Sequence, residues 1–78
     1  MRKEFFIVTQ RPESHGGGEV LARGTVPMEE ILFYYEDTDG DGNLTRTCIV
    51  LHNTYEIIID TEYDKFKKQY NEYLDYVK

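Results

Sequence analysis

Apolar residues fill consecutive positions in the strand-length runs of this chain, and only one amphipathic helix follows them. Phe5-Phe6-Ile7, Ile49-Val50-Leu51 and Ile57-Ile58-Ile59 each put apolar side chains on both faces of a strand, because successive side chains alternate sides. A sheet with one wet face would alternate apolar and polar residues instead. One helix covers one face. The other must be covered by curling of the sheet into a partial barrel, by the long N-terminal loop, or by another chain.

The runs themselves are rich in β-branched and aromatic residues, which favour strands. Strands are expected within 4–10, 19–24, 30–36, 45–52 and 55–60. Asn53-Thr54 separates the last two as a tight turn, although Thr disfavours the positive φ of a two-residue hairpin, so the loop is expected to be longer. From 61 to 77 the period changes. Tyr63, Phe66, Tyr70, Tyr73, Leu74 and Val77 share one arc of a helical wheel, with Asp64, Lys68, Asn71, Glu72 and Asp75 opposite. Tyr76 falls off the apolar arc and is expected to be exposed. Asp60 or Thr61 suits the N-cap, and Asp64 with Lys68 makes a favourable i,i+4 pair. The expected architecture is α+β: an antiparallel β-meander of about five strands, curled toward a partial barrel, with one C-terminal amphipathic helix on one face.

With 78 residues the chain reads as one domain, whose core is thin: a chain of this size buries only about 60–65% of its unfolded surface. Seven Tyr and four Phe must supply much of that burial. Cys48 is the sole cysteine, so no internal disulfide staples the core, which favours a reducing compartment. The N-terminal run reads neither as a signal peptide nor, like the rest of the chain, as a membrane span. The default location is cytoplasmic.

The net charge of −6 is concentrated in the middle of the chain. Residues 29–64 hold ten acids against Arg46 alone, giving −9, while residues 1–28 carry +1 and residues 65–78 carry +2. A phosphate backbone would be repelled there, so direct nucleic-acid binding is disfavoured. A basic protein or a cation would be attracted.

Two loops carry recognisable patterns. Asp37-Thr38-Asp39-Gly40-Asp41-Gly42-Asn43-Leu44-Thr45 resembles the calcium-binding loop of the EF-hand family, with Asp at positions one, three and five, Gly at six and an apolar residue at eight. The resemblance implies side-chain oxygens from Asp37, Asp39 and Asp41, the backbone carbonyl of Asn43, and an oxygen from Thr45, as a hard cation such as Ca²⁺ requires. The pattern departs in two places: position twelve is Cys48 where the family has a bidentate Glu, and the flanks read as strands. Without the Glu the affinity falls to about 10⁻⁴–10⁻³ M or weaker, unless Glu36 or a remote acid completes the shell. The same Asp, Gly and Asn residues also make an ordinary hairpin connection. The second loop, His15-Gly16-Gly17-Gly18, is similar to the oxyanion loop of some esterases, but no nucleophile elbow accompanies it, so it reads as a flexible connection.

Cys48 and His52 lie four apart on one strand, about 13 Å apart along it, too far to form a nucleophile–base pair. Cys48 reads as a buried apolar residue and His52 as a surface one. The tyrosines Tyr55, Tyr63, Tyr70 and Tyr73 read as core residues with wet hydroxyls, since base stacking would need a basic groove.

No catalytic constellation emerges, so the chain is expected not to be an enzyme and to need no cofactor other than, in the alternative, Ca²⁺. The leading expectation is a protein-interaction or regulatory module. It would act through the apolar sheet face and an acidic patch of Glu29, Glu30, Glu36, Asp37, Asp39 and Asp41, with a protein partner or a second copy as a homodimer. The alternatives are a calcium-stabilised domain using Asp37–Thr45 and an acidic inhibitor that imitates nucleic-acid charge.

Overall fold

The computed structural model describes residues 1–38, 40–43 and 45–78. Its order is β1 (Arg2–Gln10), a 3-10 turn at Glu13–His15, β2 (Glu19–Pro27), a second 3-10 turn at Met28–Glu30, β3 (Ile31–Thr38), β4 (Thr45–Leu51), β5 (Glu56–Ile59) and α1 (Tyr63–Tyr76). The five strands form one antiparallel sheet with spatial order β2-β1-β5-β4-β3, and the sheet is not closed. The β3-β4-β5 part is a meander, and the β1-β2 hairpin joins it through β1 beside β5.

That order has a geometric consequence. β2 and β3 are opposite edges, about 19 Å apart in a flat five-stranded sheet. Only the 3-10 turn at Met28–Glu30 links them, and four Cα steps reach at most about 14 Å. The sheet is therefore rolled obliquely, bringing the last residue of β2 to the first of β3, although the registers place them at opposite ends of a flat sheet, Pro27 beside Arg2 and Ile31 beside Leu51. The turn is tied to both sides of the roll, since Met28 N–H donates to the Met1 carbonyl at 2.9 Å and His52 N–H donates to the Glu30 carbonyl at 2.8 Å.

The concave side of the roll holds the core: Phe5, Val26, Met28, Ile31, Ile49, Leu51 and Ile59 from the sheet side, with Phe66 and Tyr73 from the helix. Phe66 lies between the two halves of the sheet. Its ring centroid is 5.6 Å from Phe5 on β1 and 5.0 Å from Tyr34 on β3. A bulge in β3 sets this up. Ile31 pairs with Leu51 and Phe33 with Val50, so Leu32 is the extra residue. The bulge inverts the alternation, which turns Tyr34 inward beside Ile49 and leaves Leu32 and Phe33 outside.

The helix differs from its expected limits for identifiable reasons. It begins at Tyr63 with Glu62 in the cap position and no side-chain cap bond. Asp60 is engaged by Arg46, and Thr47 Oγ1 donates to the Thr61 carbonyl at 2.9 Å, which ties the backbone to β4 one residue before the Glu62 cap position. Val77 follows the last helical residue and is exposed, as is Leu74 on the flank of the apolar arc. Tyr76 is exposed. The β4–β5 connection spans His52–Tyr55, longer than two residues. Thr54 takes φ 68° there, and Leu51 N–H donates to the Tyr55 carbonyl at 2.9 Å. This turn carries Tyr55 away from the core, so that residue is exposed and not buried as its sequence context suggested.

Candidate functional site

The face of the sheet opposite α1 is built by the alternate residues of every strand. β3 contributes Phe33 and Tyr35, opposite Val50 and Cys48 of β4, and β5 adds Ile58 beside Cys48. Val8 of β1 lies opposite Leu21 of β2, and Phe6 opposite Arg23. Phe33 and Tyr35 stack with centroids 6.3 Å apart, at an interplanar angle of 26°. The rings shield their cross-strand neighbours, so Val50 and Cys48 are buried although no helix covers them. The shielding rings stay wet: Phe33 is 51% exposed, Tyr35 43%, Phe6 54% and Leu21 46%. An apolar band thus crosses all five strands, in contrast with the isolated surface apolar residues of an ordinary monomer.

Charges frame this band. Arg46 reaches Glu19 at 3.0 Å and Asp60 at 3.4 Å, clasping β2, β4 and the segment leading into α1. Burial opposes the guanidinium charge, but the two carboxylates outweigh it and hold Arg46 above its ordinary pKa. Arg23 meets Glu4 at 3.7 Å on the β1-β2 hairpin. Tyr35 is pushed up to about 12, chiefly by the neighbouring Cys48 across the strand pair.

A cleft opens within the sheet itself. Among the described residues, β1 and β5 are in register only at Ile7↔Ile59, with Asp60 N–H donating to the Phe6 carbonyl at 2.8 Å. Past that point the strands part, although each stays paired on its other side. The space between them is about 470 Å³, lined by Ile7, Val8, Thr9, Tyr55, Glu56, Ile57 and Ile58.

The acidic residues expected to form one patch are distributed along β3. Glu29 and Glu30 sit in the 3-10 turn before it, and Glu36 and Asp37 near its other end. Six residue steps along the chain, about 20 Å when extended, separate Glu30 from Glu36. Glu29 is bound to the N-terminal ammonium at 2.8 Å, and that hydrogen bond holds its carboxyl below the ordinary range. In the loop resembling a calcium site, Asp37 ends on β3, Asp41 and Asn43 lie in the connection, and Thr45 opens β4. Asp39 and Leu44 lie outside the described residues. Among the described residues, no group of three or more His, Cys, Asp or Glu is placed to hold a metal ion. Cys48 is buried and His52 exposed, as their sequence contexts indicated.

Sequence reasoning identified the uncovered apolar face but missed the β1/β5 cleft and the Arg46 clasp. Both depend on which strands become neighbours, for which the only sequence signal was the single base amid ten acids. Comparison with protein-family models, with curated proteins and with solved structures finds no match. Among the described residues, no helix is long and apolar enough to cross a membrane.

Proposed function

We propose that this chain is a non-catalytic protein-interaction module whose working surface is the sheet face opposite α1. The supporting observation is the half-exposed apolar band of Phe6, Leu21, Phe33 and Tyr35, lying over a sheet whose other face is filled by its own helix. Burying such rings against a partner gains roughly 25 cal/mol per Å² of apolar surface removed from water, before the cost of association. Aromatic anchors of this kind are what interface centres use. The carboxylates at the far end of β3 would bias approach toward basic partners.

The experiment compares the wild type with a Phe33→Asp/Tyr35→Asp double variant. Both residues are about half exposed but also cover Val50 and Cys48, so the variant is expected to stay folded, as far-UV circular dichroism checks, with a thermal midpoint lowered by roughly 10 °C. It should lose binding of an apolar fluorescent dye, and lose the partner or second copy that the wild type holds at low salt and high salt alike. A strictly monomeric wild type that binds no dye, together with partner capture unaffected by both substitutions, overturns the reading. A rise in melting temperature with millimolar Ca²⁺ would favour the Asp37–Thr45 loop instead.

A further inference from the structure

We infer that the outer edge of β2 pairs with the same edge of a second copy, antiparallel about Leu21, so that two sheets join into one. The inference goes beyond the reading of the sheet face, because it assigns a different surface and the occupant of that surface.

The first support is the direction of the main-chain groups. β1 and β2 pair without a register shift from Arg2↔Pro27 to Gln10↔Glu19. Beyond one end of that ladder Arg11 N–H donates to the Gly18 carbonyl at 2.8 Å, and beyond the other Met28 N–H donates to the Met1 carbonyl at 2.9 Å. Hydrogen-bonded positions alternate along an antiparallel pair, so the even-numbered residues of β2 turn their main-chain groups to β1. Glu19, Leu21 and Arg23 therefore turn theirs outward. β2 ends the sheet, and among the described residues no strand lies beyond it. All three residues are exposed. An unpaired edge of this kind is a template for another strand.

The second support is charge, which selects the occupant. Pairing centred on Leu21 sets Glu19 opposite the second copy's Arg23, and Arg23 opposite its Glu19, with the two leucines between them. Opposite charges across a strand pair attract and like charges repel. Registers centred on Val20 or Ala22 lose both ion pairs, and one centred on Arg23 sets two cations together. Within the chain Glu19 meets Arg46 at 3.0 Å and Arg23 meets Glu4 at 3.7 Å, yet the side chains of Glu19 and Arg23 stay 50% and 70% exposed. A carboxylate accepts from more than one donor, so both retain room for the second copy.

The third support is the contrast with the other edge. β3 carries Glu36 and Asp37 and no base, so it would repel its own copy. The strand order also places β3 farthest from β2, so joining at β2 keeps the two acidic regions apart.

The Glu19–Arg23 contact is about 17 Å long and falls well under the roughly 1,000 Å² of a stable interface, so the dimer is weak. The intact chain is therefore followed by light scattering and amide exchange between about 0.05 and 2 mM, the range of millimolar-class affinities. Raising the concentration is expected to slow the Glu19, Leu21 and Arg23 amides and leave Val20 and Ala22, already bonded to β1, unchanged. Arg23→Glu and Glu19→Arg should each weaken the dimer about tenfold or more. An equal mixture of the two variants should restore it, since every facing pair is then of opposite sign. Glu19→Arg also gives up the Arg46 ion pair, so unchanged Val20 and Ala22 amides check the fold of both.

Three results overturn the inference: no change in the three amides up to about 2 mM, slowing at β3 instead, or variants that pair no better mixed than apart. A chain monomeric throughout, whose β2 edge is slowed only by an added acetyl-Thr-Val-Thr-Val-Thr-amide strand, would give the edge to a foreign segment and likewise overturn it. Phe33 and Tyr35 lie on β3, so Phe33→Asp/Tyr35→Asp should leave this dimer intact. High salt should weaken it several-fold, unlike a partner held by the apolar face. Failure of the edge is thereby separable from failure of the face.

Discussion

Phe66 is where the two halves of the sheet meet, and its removal tests how much one ring contributes in so thin a core. It is fully buried and touches Phe5, Tyr34 and Tyr70. Phe66→Ala is expected to cost about 3–5 kcal/mol. Total stability for a domain of this size is only about 4–12 kcal/mol, so the urea midpoint should fall by about a quarter or more. Gly24 sets two effects against each other. Its φ is ordinary for a strand, so Ala there would gain about 0.5–1 kcal/mol over Gly from backbone entropy. A Cβ at that position would nevertheless stand 2.7 Å from Ile7 Cδ1, the movable end of a half-buried side chain. Gly24→Ala should therefore be near neutral, whereas Gly24→Val, which cannot be absorbed by one rotamer change, should lose about 1–3 kcal/mol in thermal unfolding. Tyr35 supplies a pH test. Its folded pKa is raised above the ordinary 10.0 to about 12, so the stabilisation it represents is complete below pH 10 and is lost as pH rises toward 12. Phenolate absorbance should lose a late step in Tyr35→Phe, while Tyr34 and Tyr73, both held above the ordinary value chiefly by burial, go on titrating late.

At the scale of elements, the sheet halves are joined by few ladder bonds between β1 and β5, and polar ties supplement them. Arg46 is the principal tie, its side chain only 15% exposed while Glu19 and Asp60 remain in partial contact with water. Arg46→Met preserves the stem and removes both ion pairs. Because the orphaned carboxylates stay solvated, the expected loss is about 1 kcal/mol, toward the surface end of the range. Amides of the hairpin tip, from Thr9 to Glu19, should exchange faster while those of β4 do not. What was legible in the sequence follows the same division. Strand and helix identity came from local pattern: the Ile57-Ile58-Ile59 run, the β-branched stretches and the 3.6-residue period of Tyr63, Phe66, Tyr70 and Tyr73. The uncovered face followed from counting apolar positions against one helix. The N-cap was misplaced because Asp60 and Thr61 are locally suited to capping but are recruited by Arg46 and Thr47, partners 14 residues away in each case. The bulge at Leu32 and the cleft beside Ile58 left no local trace, since both are properties of pairing between strands and not of any one strand.

For the whole molecule the decisive feature is the rolled sheet, and a change in one connection tests it. The radius of gyration is 13.4 Å, above the roughly 11.5 Å of a compact domain of this length. The long β1-β2 hairpin extends the particle to 46 Å in one direction. What keeps the roll closed on α1 is the short Met28–Glu30 turn, whose Met28 is fully buried between Val26 and Ile31 in sequence and in the same core. If that turn were only a link, lengthening it would cost little, because doubling a flexible loop adds only about 0.6 kcal/mol of closure entropy. If it acts as a clamp, four glycines inserted after Glu30 would free the edges to separate, displace Met28 and interrupt the bond from His52 N–H to the Glu30 carbonyl. Loss of a buried Met alone is of the order of 2–5 kcal/mol. The clamp therefore predicts a loss of more than about 2 kcal/mol in urea unfolding, together with greater dye binding as the concave side opens. A loss below about 1 kcal/mol with unchanged dye binding would mean that Phe66 and its aromatic neighbours, and not the connection, hold the sheet in its curve.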